Sequence, residues 1–222
     1  MPQTNLQLAE TPTHWFWHSQ SCLEIQFETE LKPELFLALD QLAEQIRQSE
    51  LAQGALSSYA SIAVYFEQPQ SSPSQVMAQI KAVISQHSAE TNNQSPRKLF
   101  TFPAVYNGDD LVSAAESIDL SPQQLINRHC QQEYMVAAIG FLPHFAYLWG
   151  LDPTLALPRL STPRARVPAG AIGIAGEQTG VYPQVSPGGW RLIGQLANDA
   201  ALKQWKTLKV GDRVRFQNVE EL

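Results

Sequence analysis

The chain has 222 residues, 44% of them hydrophobic and 16% charged. That composition excludes a disordered polymer and supplies enough apolar bulk for one large or two small cores. The formal charge of −6 excludes a nucleic-acid binder of the usual basic kind, and it is unevenly spread: residues 1–95 hold three Lys/Arg against ten Asp/Glu, whereas 96–222 hold twelve against eleven.

Cys22 and Cys130 lie far apart with no C-x-x-C spacing, the usage expected of a reducing compartment. No apolar run approaches the roughly 18 residues that span a bilayer, and the opening MPQTNLQLAE has neither the basic nor the apolar part of a leader. The expectation is a soluble cytoplasmic protein.

In chain order, His14 and His18 stand four apart in an aromatic run. On a helix that spacing would let both ligate one metal, but Pro12 opposes a helix and no third ligand is near, so aromatic packing is the expected role. Residues 22–28 alternate, with Leu23, Ile25 and Phe27 on one face, as in a half-buried strand. Pro33 opens a helix to about Gln48 whose buried stripe is Leu35, Leu39, Leu42 and Ile46. A second strand is expected over 60–67. Ser72 and Pro73 then cap a second helix spaced by Val76, Ile80, Val83, Ile84 and His87. This β-α-β-α order predicts a small ferredoxin-like α/β sandwich, closed by a polar linker at 88–95. The domains expected are therefore 1–95 and 96–222.

Beyond the linker the pattern changes. Leu99–Val105 reads as a strand that Pro103 interrupts, 109–117 as a short helix, and Ser121-Pro122 as the start of another with Leu125, Ile126, His129 and Cys130 on one side. Tyr134–Ile139 reads as a strand. Leu208, Val210, Val214 and Phe216 alternate around Gly211-Asp212, which predicts a hairpin. Short strands with frequent turns predict a barrel or sandwich.

Residues 140–194 hold nine of the 12 glycines and seven of the 15 prolines, which excludes an ordinary helix. They also carry Arg159, Arg164, Arg166 and Arg191. Four ordered blocks stand here: G-F-x-P-x-F-x-Y-L, P-R-L-x-T-P-R-x-R-V-P-A-G, G-I-A-G-x-Q-T-G-x-Y-P and S-P-G-G-W. On these blocks the chain resembles the family of the B-type subunit of 5-oxoprolinase, also known as allophanate hydrolase subunit 1. That family includes a sporulation histidine-kinase inhibitor and is similar to half of the urea amidolyase carboxyltransferase domain. The resemblance implies an α+β protein, with the small α/β domain followed by a cyclophilin-like β-barrel. The chain departs from the family pattern at His144 and Trp149, which replace usual glycines, at Asn107, which interrupts Y-G-G, and at Gly194-Gln195-Leu196, where G-R-T is usual.

No G-x-S-x-G elbow, no Walker A loop and no H-E-x-x-H occurs. The glycine-rich run at 173–180 has two readings, a backbone cradle for an anion or tight turns between barrel strands. The arginines are more informative. Arg164 and Arg166 sit two apart in a Pro-flanked, extended segment, so their side chains share a face, and a guanidinium forks onto carboxylate or phosphate oxygens. Arg164 and Arg166 are candidate catalytic residues and Arg159 a substrate contact; the competing role is to pin loops through backbone carbonyls. His129 is the general acid/base candidate by residue type, against a structural role suggested by its apolar helix face. Gln178, Thr179, Tyr182 and Ser186 offer neutral polar contacts to an amide. Gly188, Gly189 and Trp190 offer a pocket wall, and His144 a side chain where the family pattern leaves space.

The resemblance implies one subunit of an ATP-dependent 5-oxoprolinase that opens the lactam of 5-oxoproline to glutamate. ATP with Mg is implied for the complex and no cofactor on this chain. The implied partners are homologues of the C-type and A-type subunits of that enzyme. Two other readings stand beside it: a histidine-kinase inhibitor acting by binding, and an allophanate- or urea-related amidohydrolase or carboxyltransferase subunit.

Overall fold

The structure, a computed structural model, describes residues 12–28, 30–87 and 97–219. The chain folds as two compact units, Met1–Pro96 and Arg97–Leu222.

In the first unit, strands β1 (His14–Ser19), β2 (Cys22–Gln26), β3 (Gly54–Ser57) and β4 (Ser61–Tyr65) form an antiparallel sheet in the order β1-β2-β4-β3. Helices α1 (Pro33–Gln48) and α2 (Pro73–His87) contribute Leu39, Leu42, Ile46 and Ile80 to one core with Leu23, Ile25, Ile62 and Val64 from the sheet. The alternation in β2 and β4 and the stripe of α1 act as the sequence predicts. Strands β1 and β3 add to that reading and make the order ββαββα. The aromatic run forms β1 because Trp15 and Trp17 alternate onto the core, while Phe16 on the other face is 45% exposed. His14 and His18 share that outer face. Their rings meet glutamates: His18 Nε2 lies 2.7 Å from Glu24 and His14 Nδ1 3.4 Å from Glu28. Among the described residues no group of three or more His, Cys, Asp or Glu could hold a metal. The expected linker at 88–95 lies outside the described residues, as do the side chain of His87 and residues 1–11.

The second unit is a closed barrel. Its strands are β5 (Leu99–Val105), β6 (Tyr134–Ile139), β7 (Ala146–Trp149), β9 (Ala171–Ala175), β10 (Gln178–Val181), β12 (Arg191–Leu196) and β13 (Arg213–Asn218), closed in the order β10-β7-β6-β13-β5-β12-β9. Outside the barrel, β8 (Arg164–Val167) and β11 (Ser186–Gly188) form a two-stranded sheet. Helices α3 (Leu111–Glu116), α4 (Pro122–Gln131) and α5 (Asp199–Trp205) complete the unit. The start of α4 is legible in sequence: Ser121 accepts from Gln124 N–H at 3.2 Å, and the Gln124 side chain accepts from Ser121 N–H at 2.8 Å, a reciprocal capping box.

Two expectations are corrected here. Pro103 does not interrupt β5. The carbonyls of Lys98 and Ala104 accept from the β13 side, whereas that of Pro103 accepts from Ala197. Position 103 thus turns its missing N–H away from β13, towards the side where the β12 ladder reaches only Ala104 and Val105. The hairpin around Gly211-Asp212 does not form either. Asp212 Oδ2 accepts from Lys209 N–H at 2.8 Å and Oδ1 from Lys98 N–H at 3.2 Å, so the segment makes a turn. Strand β13 then pairs parallel with β5 and antiparallel with β6.

Among the described residues no helix is long and apolar enough to cross a membrane.

Candidate functional site

The barrel strands carry two apolar faces. Ala146 and Leu148 of β7, Ile172 and Ile174 of β9 and Val181 of β10 join the interior core with Phe102, Tyr134 and Trp205. The alternate residues Phe145, Tyr147, Ala171 and Ala175 face outward and form a separate cluster with Tyr182, Trp190, Leu192 and Val167. That period of two, applied to a strand apolar on both sides, builds a second core on the outer wall.

Small residues in the wall make room for it. A Cβ at Gly173 would stand 3.0 Å from Trp190 Cβ, and one at Gly180 would meet the Ala146 carbonyl at 2.8 Å and the Phe145 and Trp190 rings at 3.5 and 3.4 Å. Glycine is needed there so that Trp190 and Phe145 can lie against the wall. The rings meet edge to face, with centroids 5.3 Å apart for Phe145–Trp190 and for Phe145–Tyr182, the arrangement favoured by ring quadrupoles. The whole run 173–180 is thus a hairpin, with Gly176 at φ +58° in its turn. Its backbone groups serve the ladders with β7, β9 and β12, and the anion-cradle reading does not describe it.

Above this wall lies a pocket of about 360 Å³. The loop after β6 supplies Phe141 and Leu142, β7 supplies Tyr147, and the segment before β8 supplies Arg159 and Pro163. Tyr182 and the Ser186–Gly188 strand with Gly189 and Trp190 close the remaining side. Six of the residues expected from sequence to contact substrate therefore line one cavity: Arg159, Tyr182, Ser186, Gly188, Gly189 and Trp190. Gly188 is constrained, because a Cβ there would collide with the Tyr182 hydroxyl and ring. Gly189 is not, since its nearest neighbour, Pro163, would be 3.7 Å away.

The pocket is mostly apolar with a few directed polar groups. Burial raises the Tyr147 and Tyr182 hydroxyls above the usual phenol range, and the Arg159 guanidinium pulls both back. The Trp190 backbone N–H also bonds the Tyr182 hydroxyl. Arg159 is exposed at the rim and makes no ion pair among the described residues. One free cation, two phenols and an aromatic wall suit a small ring compound that carries an anionic group.

The other arginines occupy different positions. Arg164 Nη2 donates to Asp110 Oδ1 at 2.6 Å and Nη1 to the Trp190 carbonyl at 3.5 Å. Asp110 Oδ2 accepts from Leu192 N–H at 2.6 Å. Arg164 is therefore committed to an internal partner and braces the start of β12, next to Trp190, a positioning role in place of the expected contact with a reacting oxygen. Asp110, which the sequence alone does not single out, is the centre of this brace. Its signal is the unusual Asp109-Asp110 pair after Gly108, whose own Cβ would clash with the Leu192 carbonyl. Arg166, one strand repeat on, is exposed and does not line the pocket. Arg191 Nε donates to the Pro158 carbonyl at 3.3 Å and pins the loop.

His129, Thr179, Gln178 and His144 do not line the pocket. His129 and Thr179 are both 0% exposed and lie inside the barrel. Thr179 Oγ1 donates to the Gly173 carbonyl at 3.0 Å, so it accepts from His129 Nε2–H, also at 3.0 Å. His129 Nδ1 then accepts from the Tyr106 hydroxyl at 2.7 Å, and Cys130 Sγ donates to Tyr106 at 3.2 Å. Each donor has one acceptor along this chain, which holds the ring in its neutral Nε2–H form. Burial pushes the His129 pKa down to about 3. Sealed, neutral and out of reach of the pocket, His129 is placed as a core residue, and the general acid/base expectation is corrected.

His144 is exposed, at φ +66°. Phe145 N–H donates to the Leu142 carbonyl at 3.0 Å, with Pro143 second and His144 third in the turn, the pattern that favours Gly at the third position. The glycine of G-F-x-P-G-F is thus a backbone requirement, and His144 does not re-line the pocket. His144→Gly should change stability by no more than about 1 kcal/mol, because relief of the left-handed backbone is offset by the extra freedom of the unfolded chain. It should leave ligand affinity unchanged. Thermal melts and a ligand titration check both, and a shift in affinity would return His144 to the site.

Comparison with known proteins gives a consistent picture. The family model described as carboxyltransferase domain, subdomain C and D, matches residues 14–201. The B-type subunit of 5-oxoprolinase from Bacillus subtilis (strain 168) is 43% identical over 131 residues, 56% of this chain and 55% of that protein. The chain thus spans about half the length of the curated relatives it matches. The crystal structure of a conserved uncharacterized protein, PH0987 from Pyrococcus horikoshii, is 32% identical with a TM-score of 0.51, covering 90% of this chain and 95% of that one. Urea carboxylase from Kluyveromyces lactis shares the fold at a TM-score of 0.72 with 18% identity, over 96% of this chain and 23% of that one.

Proposed function

This chain belongs to the family described as carboxyltransferase domain, subdomain C and D, and from that membership we propose that it is the B-type subunit of a 5-oxoprolinase, with the outer-wall pocket as its share of the substrate site. The observation that carries the reading is Arg159. Among the described residues it is the one guanidinium lining a mostly apolar cavity, and 5-oxoproline is a five-membered lactam with a single carboxylate. The guanidinium takes the carboxylate by a paired, charge-assisted contact. The adjoining Tyr147 and Trp190 rings form a wall against one face of the lactam, and the Tyr182 hydroxyl is within the same lining.

A lactam carbonyl is a poor electrophile, and phosphorylation of its oxygen by ATP supplies the leaving group that water displaces. A triphosphate carries several charges that one guanidinium does not balance, and Arg164 is already committed to Asp110. We therefore place ATP and its Mg on the A-type and C-type homologues, the partners in this reading. The pocket of this chain binds and orients the lactam for them.

The test is glutamate release from 5-oxoproline by the complex reconstituted with both partners. Arg159→Ala should lower kcat/KM by roughly 10- to 100-fold, mostly through KM, since a hydrogen bond to a charged group contributes about 1.5–3 kcal/mol. Arg159→Lys should recover only part, having lost the fork. Unchanged kinetics in Arg159→Ala would remove the pocket from the site. No glutamate release by the wild-type complex would remove the reaction.

A further inference from the structure

The loop joining β6 to β7 holds Phe141 in a conformation that folding alone does not favour. Leu142 N–H donates to the Gly140 carbonyl at 2.7 Å, which closes a three-residue turn around Phe141 at φ +66°. A γ-turn with a positive central φ is the rare, strained form, and for a bulky side chain the left-handed region is an outlier. The ring gains little in return. It is 64% exposed, more than any other large hydrophobic residue described, and its contact is edge-on to Phe145 at 5.6 Å. Yet it lines the pocket. Strained backbone of this kind persists where a site needs a side chain aimed in one direction.

We infer that Phe141 is a substrate-binding residue: the strained turn holds its ring at the pocket mouth, where it closes over the apolar face of the ring compound whose carboxylate Arg159 holds. This rests on the pocket being the lactam site, and it adds a residue that sets specificity for a flat, apolar-faced ring. Binding would cover a ring that is open to water in the free protein, and the gain from that burial is what offsets the strain.

The strain and the role predict opposite signs in one substitution. Phe141→Gly relieves the backbone, since glycine populates positive φ readily, and removes almost no buried packing. The melting temperature should therefore hold or rise. In the complex with both partners, KM for 5-oxoproline should rise about tenfold, the factor expected from losing part of a covered aromatic face, with kcat within about twofold. Phe141→Leu should fall between. A lower melting temperature would make Phe141 a packing residue and overturn the inference. So would an unchanged KM in Phe141→Gly where Arg159→Ala raises it, or loss of the complex on size-exclusion chromatography, which would make Phe141 a contact to a partner protein. If neither variant moves KM, the pocket reading itself fails and this inference falls with it.

Discussion

Replacing Arg164 with Ala is expected to destabilise the barrel unit by about 3 kcal/mol. Breaking a buried ion pair by removing one partner costs roughly 3–5 kcal/mol, because the other charge stays behind. The low end applies here, since the Arg164 and Asp110 side chains keep 25% and 11% of their exposure. Asp110 would retain only the Leu192 N–H, and the Trp190 carbonyl would lose the second guanidinium nitrogen. Asp110→Ala should cost a similar amount, leaving Leu192 N–H without its acceptor. The two substitutions together should cost clearly less than their sum, as expected for groups in direct contact. Arg164→Lys should recover little, because a single ammonium does not reach both partners with the same geometry. Urea unfolding of the four variants measures this. A loss below about 0.5 kcal/mol in Arg164→Ala would show that the pair is no more than a solvated surface bridge. Because this brace lies next to Trp190, the same variants should also weaken ligand binding in the pocket.

The second large effect is a loss of stability in mild acid that originates at His129. Its pKa falls to about 3 in the folded protein through burial, while an unfolded histidine titrates near 6.5. Between those values the unfolded chain binds a proton that the folded chain refuses, so stability rises with pH across the window and is lost as pH falls. Above about pH 6.5 the contribution is complete. Each unit below it costs about 1.4 kcal/mol, or roughly 3 kcal/mol by pH 4. Protonation at Nδ1 would also break the bond from the Tyr106 hydroxyl and force a charge among Tyr134 and Phe216, whose ring centroids lie 5.3 and 4.9 Å away. His129→Asn removes the titration and should flatten the acid limb, whatever it does to stability at neutral pH. Equal acid slopes in the two proteins would mean that another group controls the limb.

Much of the architecture is legible one residue at a time. Alternation places β2 and β4, a stripe of leucines places α1, and Ser121-Pro122 places the start of α4, because local periodicity and capping are short-range physics. Strand β1 was obscured by His14, Phe16 and His18, which make its outer face look unlike a strand. The true partner of β13 was obscured because β13 pairs in parallel with β5, more than a hundred residues earlier, and no local pattern records so distant a choice.

The site divides in the same way. From sequence alone the density of glycine, proline and arginine in 140–194 determined where a pocket would be built, since only such residues permit tight turns and close ring packing. Six expected contact residues do line one cavity. Only the tertiary structure decided which arginine remains free. Arg159, Arg164 and Arg166 are chemically identical, and what separates them is whether a carboxylate is waiting and whether the side chain lines the pocket, as Arg159 does and Arg166 does not. Asp110, 54 residues from Arg164 in the chain, claims one of them. His129 was equally undecided, because a histidine on an apolar helix face is a base or a core residue according to what lies opposite. Thr179 and Tyr106 lie opposite, each satisfying one ring nitrogen, and a neutral, fully bonded ring buried inside the barrel has no proton to exchange with a ligand outside it.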